Sequence, residues 1–224
     1  MSEIVAIVPC RAGSVGLPGK NRKRLGHLAL WEIAAWQAID AGASQVIIST
    51  DDPEILSRKP RPYKWIMHQR PDHLCKNESR VEDTVRCILD FCKAPVVVVL
   101  NPTHPFRFVG DIRVCISAVK GKDESCTGVV TDWHYTPKEG MRFKTLNRQA
   151  REPRYLVTGG IYAFQRDAFL ENDTMMPCDT FWVCDDLSRV DIDGPLDYEY
   201  AKIVYDSLDK NLLSDYSMQE RNKE

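Results

Sequence analysis

The sequence has no marked excess of charge and no long apolar run. Its formal net charge at pH 7 is −2, which argues against the strongly basic surface that nucleic acids and anionic membranes select. The longest apolar run, residues 94–100, has the length of a strand and is too short for a membrane helix. The opening run, residues 4–8, is too short for a signal peptide and has no basic leader. We therefore expect a cytoplasmic protein whose partners are neither nucleic acid nor membrane.

Closely spaced pairs of cysteines are also absent. The chain has eight cysteines, but none forms a CxxC pair, and no histidine cluster lies beside Cys87 and Cys92. A structural zinc site is therefore not expected. Inert, reduced thiols are the expectation for such a chain in the cytoplasm.

What the sequence does contain is an alternation of strand-like and helix-like segments. The length of 224 residues suits one domain over residues 1–224, and the alternation predicts an α/β fold with a doubly wound, mostly parallel sheet. Residues 132–156 have weak periodicity, so we expect a small arm that leaves this sheet. The predicted strands are residues 4–8, 45–49, 65–68, 95–100, 127–131, 160–164 and one ending at Asp191, and the main predicted helices are residues 30–41, 79–92, 109–119 and 195–208.

Sheets of this kind bind ligands beyond the carboxyl ends of their strands. The first loop, residues 9–21, follows the first predicted strand and reads PCRAGSVGLPGKN. Its glycines allow tight turns and a close approach of N–H groups to an anion, and Arg11 and Lys20 add positive charge. These features predict a cradle for a triphosphate. The glycine spacing, with Asn21 after the lysine, fits neither a Walker A loop nor the dinucleotide fingerprint.

The second loop, residues 101–107, follows the most apolar strand and reads NPTHPFR. Its two prolines make it rigid, and Asn101 is well placed to donate a hydrogen bond to a substrate. Arg107 has two interpretations, as a ligand for an anion or as the partner of an internal carboxylate. His104 is a candidate general base, although a lone histidine in a loop is more often incidental.

The carboxylate turn, residues 190–195, reads VDIDGP and leads into the last long helix. Asp191 and Asp193 stand at positions i and i+2, so on an extended chain both point to the same side. Two such carboxylates suit Mg²⁺, which would neutralise charge at a reacting phosphate and its leaving group. A helix-capping role is the alternative for Asp193. The neighbouring pair of Asp185 and Asp186 is expected to be a feature of the surface.

Six motifs follow one another in an order that is typical of one family. They are residues 9–21 for P-A-R-x-G-S-K-G-x-P-x-K-N, 48–51 for V-S-T-D, 70–74 for R-P-x-x-L, 102–107 for P-T-S-P-L-R, 148–162 for R-Q…N-G-A-I-Y and 191–197 for D-I-D-x-x-x-D. With these motifs the chain resembles the CMP-sugar synthetases, which include the CMP-N-acylneuraminate synthetases. The likeness extends from Ile4 to about Tyr205.

The resemblance implies a Mg²⁺-dependent cytidylyltransferase. It would transfer CMP from CTP to the anomeric hydroxyl of an acidic 2-keto sugar, release pyrophosphate and act as a homodimer joined through the arm. Lys20, Arg11 and Asp193 would be catalytic, and Asp191 and Asp193 would hold the metal. The implied nucleotide-binding residues are Arg11, Gly13, Ser14, Lys20, Asn21, Arg70 and Ser79, and the implied sugar-binding residues are Asn101, Lys138, Arg148 and Tyr162.

The chain departs from the family pattern at several positions. Val15 replaces the usual loop lysine, Asn101 replaces a glutamine, Thr158 replaces an asparagine, and residues 175–176 are methionines where sialic acid enzymes have an aromatic pair. Most of these changes lie on the sugar side, so the resemblance implies a class of sugar acid and not sialic acid itself. Two alternatives stay open: a non-catalytic CTP-binding paralogue, which Val15 favours, and a nucleotidyltransferase for a different sugar such as Kdo.

Overall fold

The structure is a computed structural model that describes residues 3–58, 65–121, 124–132, 154–177 and 180–219. The strands are β1 Ile4–Cys10, β2 Arg24–Leu25, β3 Leu28–Ala29, β4 Gln45–Thr50, β5 Trp65–Gln69, β6 Val96–Leu100, β7 Ser125–Asp132, β8 Arg154–Gln165 and β9 Phe181–Val183. The α-helices are α1 Leu30–Asp40, α2 Pro53–Leu56, α3 Val81–Phe91, α4 Val109–Gly121, α5 Arg166–Asn172, α6 Pro195–Ser207 and α7 Lys210–Asp215.

One sheet of seven strands, in the order β5-β4-β1-β6-β8-β7-β9, forms the centre of the fold. Strands β5, β4, β1 and β6 are parallel, β8 alone runs antiparallel to its neighbours β6 and β7, and β9 pairs parallel with β7. The central strands are rich in valine and isoleucine and buried on both faces, as parallel strands require. The predicted α/β class and mostly parallel sheet are confirmed.

Helices cover both faces of this sheet. Alternate side chains of β1 point to opposite faces: Ala6 and Val8 pack in a core with α1 and α4, whereas Val5 and Ile7 pack in a second core with α3 and α5. No helix within the described ranges is long and apolar enough to cross a membrane. The two-sided packing is the doubly wound arrangement that the alternating sequence predicts.

The sequence prediction fails at four smaller features. The strand that was to end at Asp191 does not form, because a 3-10 turn occupies Asp186–Arg189 and the chain then continues without strand pairing. The β2–β3 hairpin and the strand β9 are too short to give a period of two. Helices α5 and α7 span only 7 and 6 residues, too few for a clear helical pattern.

The predicted arm, residues 132–156, is described only at its two ends. Asp132 closes β7, residues 154–156 open β8, and these ends pair antiparallel with each other. Both ends therefore belong to the main sheet. The segment between them, residues 133–153, lies outside the described residues.

Candidate active site

The three loops singled out by sequence meet at one edge of the sheet. The first loop follows β1 and the second loop follows β6, and the two parallel strands end at the same edge. Leu17 of the first loop, Phe106 of the second loop and Ile192 of the carboxylate turn all lie in one buried apolar cluster with α6. This cluster fixes the three loops relative to one another.

Two side chains fix the shape of the first loop. The Asp51 carboxylate at the end of β4 accepts a hydrogen bond of 2.7 Å from the backbone N–H of Ala12. The buried Asn21 amide donates to the Arg11 carbonyl oxygen at 2.9 Å. Asn21, predicted to bind phosphate, thus uses this donor to hold the loop. The loop is pinned from β4 and from within.

The glycines of the first loop have different structural reasons. Gly19 has a φ of 64°, in the left-handed region that favours glycine. At Gly16 a Cβ would lie 2.5 Å from the backbone oxygen of Asp193, so only glycine permits this approach to the carboxylate turn. At Gly13 a Cβ would meet nothing within 4 Å. Two glycines, and not Gly13, therefore carry the fold of this loop.

The basic residues of the first loop have different partners. Lys20 Nζ lies 2.9 Å from Asp193 Oδ1, which joins the first loop to the carboxylate turn. Arg11 donates to the Asn77 side-chain oxygen at 2.9 Å. Arg22, in contrast, pairs with the carboxylates of Asp52 and Glu54. Only Lys20 among these three cations contacts the predicted metal ligands.

The predicted nucleotide side lies along residues 70–79. Arg70 is buried and donates to the Ser49 carbonyl oxygen at 3.1 Å; burial lowers its pKa, and the nearby Cys10 and Asp51 act in the opposite direction. Ser79 donates from its backbone N–H to the Lys76 carbonyl oxygen. Arg11 also reaches the Cys75 carbonyl oxygen at 3.4 Å. The structure thus brings residues 70–79 against the first loop.

Neither sequence interpretation of Arg107 is correct. Its side chain is fully buried and donates to the Asn101 and Gly160 carbonyl oxygens and to the Gln37 side-chain oxygen. Burial lowers its pKa to about 9, so the guanidinium stays protonated at neutral pH. Arg107 is an internal brace between the second loop and β8, and it binds carbonyl groups where a carboxylate or an anion was expected.

Asn101, at the end of β6, was predicted to hydrogen-bond a substrate. Its side-chain amide donates to the Gly159 carbonyl oxygen at 2.7 Å. This contact sets the position of β8 at the edge where the loops meet.

His104 lies beneath the carboxylate turn and is 4% exposed. Its Nδ1 is 3.0 Å from the Thr103 hydroxyl oxygen and 3.6 Å from Asp191 Oδ1. Burial lowers the pKa of His104, opposed by Asp191 and reinforced by Arg107.

The carboxylate turn presents its two aspartates as the sequence predicts. Ile192 between them is buried, whereas the side chains of Asp191 and Asp193 are 41% and 75% exposed. The backbone N–H of Ile192 donates to the Thr103 carbonyl oxygen at 2.9 Å. The capping role that was the alternative for Asp193 belongs to Asp197, which accepts hydrogen bonds from the N–H groups of Asp193 and Gly194 at the start of α6.

The donor set of this turn suits a hard cation. Carboxylate oxygens are the ligands that Mg²⁺ prefers, and Mg²⁺ commonly takes one or two of them together with substrate phosphates and water. Within the described residues no group of three or more His, Cys, Asp or Glu side chains is arranged to hold a metal ion. Asp191 and Asp193 therefore fit Mg²⁺ only with further oxygen ligands from a substrate.

The predicted sugar side is described in part. Tyr162 of β8 is half-buried, and burial raises its pKa, reinforced by the charges of Glu82 and Asp191. Lys138 and Arg148 lie outside the described residues. Val15, at the position of the usual loop lysine, is 82% exposed.

Three residues that shape the site received no role from the sequence. Asp51 pins the first loop, Asp197 caps α6, and Gln37 of α1 donates to carbonyl oxygens of the second loop and of Tyr216. The motifs V-S-T-D and D-I-D-x-x-x-D contain the first two. Nothing in the pattern of α1 marks Gln37, because its partners are distant in sequence.

The fold and the site together define a nucleotide-binding α/β protein with a basic glycine loop beside paired carboxylates. Residues 5–217 match the cytidylyltransferase family, and the chain belongs to that family of nucleotidyltransferases. It is 27% identical to CMP-N,N'-diacetyllegionaminic acid synthase of Legionella pneumophila, covering 87% of this chain and 93% of the relative. It is 26% identical to post-translational flagellin modification protein B of Campylobacter coli, covering 91% and 95%.

Solved structures share the fold. CMP:2-keto-3-deoxy-manno-octonic acid synthetase in complex with CTP aligns with a TM-score of 0.63 and 15% identity, covering 91% of this chain and 98% of that one. The 2-C-methyl-D-erythritol 4-phosphate cytidylyltransferase of Thermus thermophilus aligns with a TM-score of 0.62 and 16% identity, covering 90% and 98%.

Proposed function

We propose that this cytidylyltransferase transfers CMP from CTP to the anomeric hydroxyl of an acidic 2-keto sugar of the nonulosonic acid class. The contact between Lys20 and Asp193, 2.9 Å long, is the observation that carries the proposal. It brings a cation of the first loop to the paired carboxylates from the far end of the chain. Phosphoryl-type transfer needs such positioned charge more than covalent help from the protein. The legionaminic acid synthases among the relatives favour this sugar class.

On the nucleotide side, Lys20 and Arg11 balance the charge of the triphosphate. The loop N–H groups are held in place by Asp51 and Asn21, so little reorganisation is needed when an anion binds. Arg70 and the chain near Ser79 lie beside this loop, where they would contact the cytidine of CTP. The hydroxyl oxygen of the sugar attacks the α-phosphorus in line, and the bond to pyrophosphate breaks as the hydroxyl proton leaves.

Mg²⁺ is the proposed metal, held by Asp191 and Asp193. When bound, it supplies charge neutralisation at the α-phosphate and at the leaving pyrophosphate. Among the described residues no group of three or more His, Cys, Asp or Glu side chains could hold a metal ion, so CTP oxygens and water would complete the coordination. The metal and the nucleotide are therefore expected to bind together.

On the sugar side, Tyr162 and Asn101 line the proposed pocket, and Lys138 or Arg148 holds the sugar carboxylate. A guanidinium or ammonium group recognises a carboxylate by charge-assisted hydrogen bonds. Tyr162 is half-buried and lies near the charges of Asp191 and Glu82, which supports its place beside the reacting groups.

Pyrophosphate release tests the proposal directly. The purified protein is incubated with CTP, Mg²⁺ and a panel of sialic, legionaminic and pseudaminic acids and Kdo, with ATP, GTP and UTP as nucleotide controls. We expect release that requires CTP, Mg²⁺ and one member of the panel. CTP binding without release for any sugar would instead support the non-catalytic paralogue that Val15 favours. Turnover with Kdo alone would assign the chain to the alternative sugar.

We further propose a homodimer in the cytoplasm. An exposed apolar surface near the edge of the sheet supports the dimer: the rings of Tyr155 in β8 and Phe181 in β9 are in contact, with centroids 5.1 Å apart and an interplanar angle of 39°, and both residues are about half exposed. Apolar patches of this kind mark interaction surfaces.

A further inference from the structure

His104 lies where the second loop, the carboxylate turn and strand β8 meet. It belongs to the second loop, its Nδ1 edge faces Asp191 of the carboxylate turn, and its ring packs on residues 158–160 at the start of the central part of β8. At 4% exposure it is too buried to meet solvent as an ordinary loop histidine. A polar side chain buried at such a junction needs a structural or functional reason.

Glycines of β8 hold the imidazole ring in place. A Cβ at Gly160 would lie 3.2 Å from His104 Cβ and 3.3 Å from Cγ, tighter than side chains normally pack. Gly159 has a φ of 80°, and a Cβ there would lie 3.5 Å from the ring carbon Cε1. The backbone of β8 therefore approaches the ring on one side, and the ring has little freedom to turn.

His104 Nδ1 lies between two oxygens. The Thr103 hydroxyl oxygen is 3.0 Å away, at hydrogen-bond distance, and Asp191 Oδ1 is 3.6 Å away, an electrostatic contact longer than a hydrogen bond. The Thr103 carbonyl oxygen also accepts the hydrogen bond from Ile192, the next residue after Asp191. The second loop therefore contacts the carboxylate turn at two adjacent residues: the His104 side chain lies beside Asp191, and the Thr103 backbone accepts a hydrogen bond from Ile192.

Asp191 needs such support because its side chain is 41% exposed. An exposed aspartate samples several staggered rotamers, and a site gains when the productive one is selected in advance. We propose that His104 is a positioning residue that holds the Asp191 carboxylate through Nδ1 in the orientation required for nucleotidyl transfer. This inference rests on the proposed function, in which Asp191 is a metal ligand. Carboxylates that bind metals are commonly oriented by such outer partners, whose loss costs about 10- to 100-fold in metal affinity or activity.

Three substitutions of His104 distinguish the role of Nδ1 from that of the rest of the imidazole ring. Asparagine places a polar side-chain atom at the position of Nδ1, glutamine extends its amide towards Nε2, and leucine has the shape of asparagine without polar atoms. We expect His104→Asn to keep kcat within about threefold and His104→Leu and His104→Gln to lose about 10- to 100-fold. The Kd for CTP without divalent cations should be the same in all three, because this measurement excludes the metal.

Mn²⁺ binding to the complex with CTP, measured by electron paramagnetic resonance without sugar, gives a readout besides turnover. We expect weaker Mn²⁺ binding in His104→Leu and His104→Gln than in His104→Asn. His27 supplies the matched control. Its Nε2, like that of His104, is buried without a hydrogen-bond partner among the described residues, but His27 lies in the β2–β3 turn. His27→Asn and His27→Leu should bind Mn²⁺ equally.

Equal kcat and equal Mn²⁺ binding in His104→Asn and His104→Leu would overturn the inference, whether both are active or both are inactive. A loss of CTP binding without metal in His104→Leu alone would also overturn it, by showing a general distortion. A wild-type protein that releases no pyrophosphate in any mixture would instead refute the proposed function. The two failures are therefore distinguishable.

Discussion

At the scale of single residues, Lys20 is the group on which the site depends most. Its side chain is 13% exposed and contacts Asp193, whose side chain is 75% exposed. An ion pair with one solvated partner contributes little to stability, about 0–1 kcal/mol. The pair is therefore better explained by the roles that the proposed function gives its members, Lys20 towards the triphosphate and Asp193 towards Mg²⁺.

Substitution of either member of this pair should affect different steps. We expect Lys20→Met to weaken CTP binding about 10- to 100-fold, because a hydrogen bond to a charged group contributes about 1.5–3 kcal/mol. Asp193→Asn should leave CTP binding in the absence of divalent cations at least as tight, since it frees Lys20 from its carboxylate partner, yet it should abolish turnover. Isothermal titration with CTP, together with a pyrophosphate assay, measures both. Weaker metal-free CTP binding in Asp193→Asn would contradict this division of roles.

The residues also show where sequence reasoning stops. Paired aspartates around a buried Ile192 were predictable, because alternation of exposed and buried positions is written in the local pattern. The partners of Arg107 were not, because Gln37 is 70 residues away and only the folded chain brings its side chain to the guanidinium. Local pattern shows which side chains are polar, and tertiary packing decides what they meet.

At the scale of elements, the close approach of the first loop to the carboxylate turn is the critical contact. It depends on Gly16, where any side chain would meet the Asp193 carbonyl oxygen. The two segments come from opposite ends of the chain, so no local propensity enforces their spacing. A single methyl group is enough to separate them.

Gly16→Ala should lower both stability and activity. A Cβ 2.5 Å from a backbone oxygen must displace one of the segments, and overpacking of this kind costs about 1–3 kcal/mol. Urea unfolding gives the change in free energy of unfolding, and kcat/KM reports the displaced Lys20 and Asp193. Gly13→Ala is the matched control for stability, because its Cβ meets nothing within 4 Å. An equal loss of stability in both variants would refute the contact.

The longer elements were predictable and the shorter ones were not. The strands β1, β4 and β6 and the helices α1, α3 and α4 were all predicted within a few residues, since their apolar runs or helical spacing are long enough to show a period. Strand β9 has only three residues, all exposed, and exists because β7 offers an edge to pair with. The strand predicted to end at Asp191 failed because a 3-10 turn occupies Asp186–Arg189, and Ile192 just after it donates to the second loop.

At the scale of the whole molecule, the exposed apolar side chains at the edge of the sheet are the most prominent surface feature. They lie on β8 and β9, the strands on either side of β7, and comprise Tyr155, Leu156, Val157, Phe181, Trp182 and Val183. A free edge strand with such side chains is a site of association unless it is covered. A second copy of the chain is the partner that the proposed homodimer provides.

Phe181→Arg should convert this dimer into a monomer. A charged side chain in an apolar interface has no counter-ion there and pays a desolvation cost. Sedimentation equilibrium should give twice 25.6 kDa for the wild type and 25.6 kDa for the variant. Ile203→Arg, at a 67% exposed position of α6, serves as the control and should remain dimeric. A wild type of 25.6 kDa would contradict the dimer itself.

Several contacts join residues 20–40 to residues 193–217, which are far apart in the sequence. The Gln37 amide of α1 donates to the Tyr216 carbonyl oxygen, the Ser217 hydroxyl donates to Asp40, and Lys20 pairs with Asp193, 173 positions further along the chain. During synthesis the first loop leaves the ribosome long before its partner carboxylates are translated. A transcript truncated before the codon for Asp193 would therefore encode β1, β4 and β6 but not the complete carboxylate turn. The contact between Lys20 and Asp193 therefore forms only after the carboxylate turn has been translated.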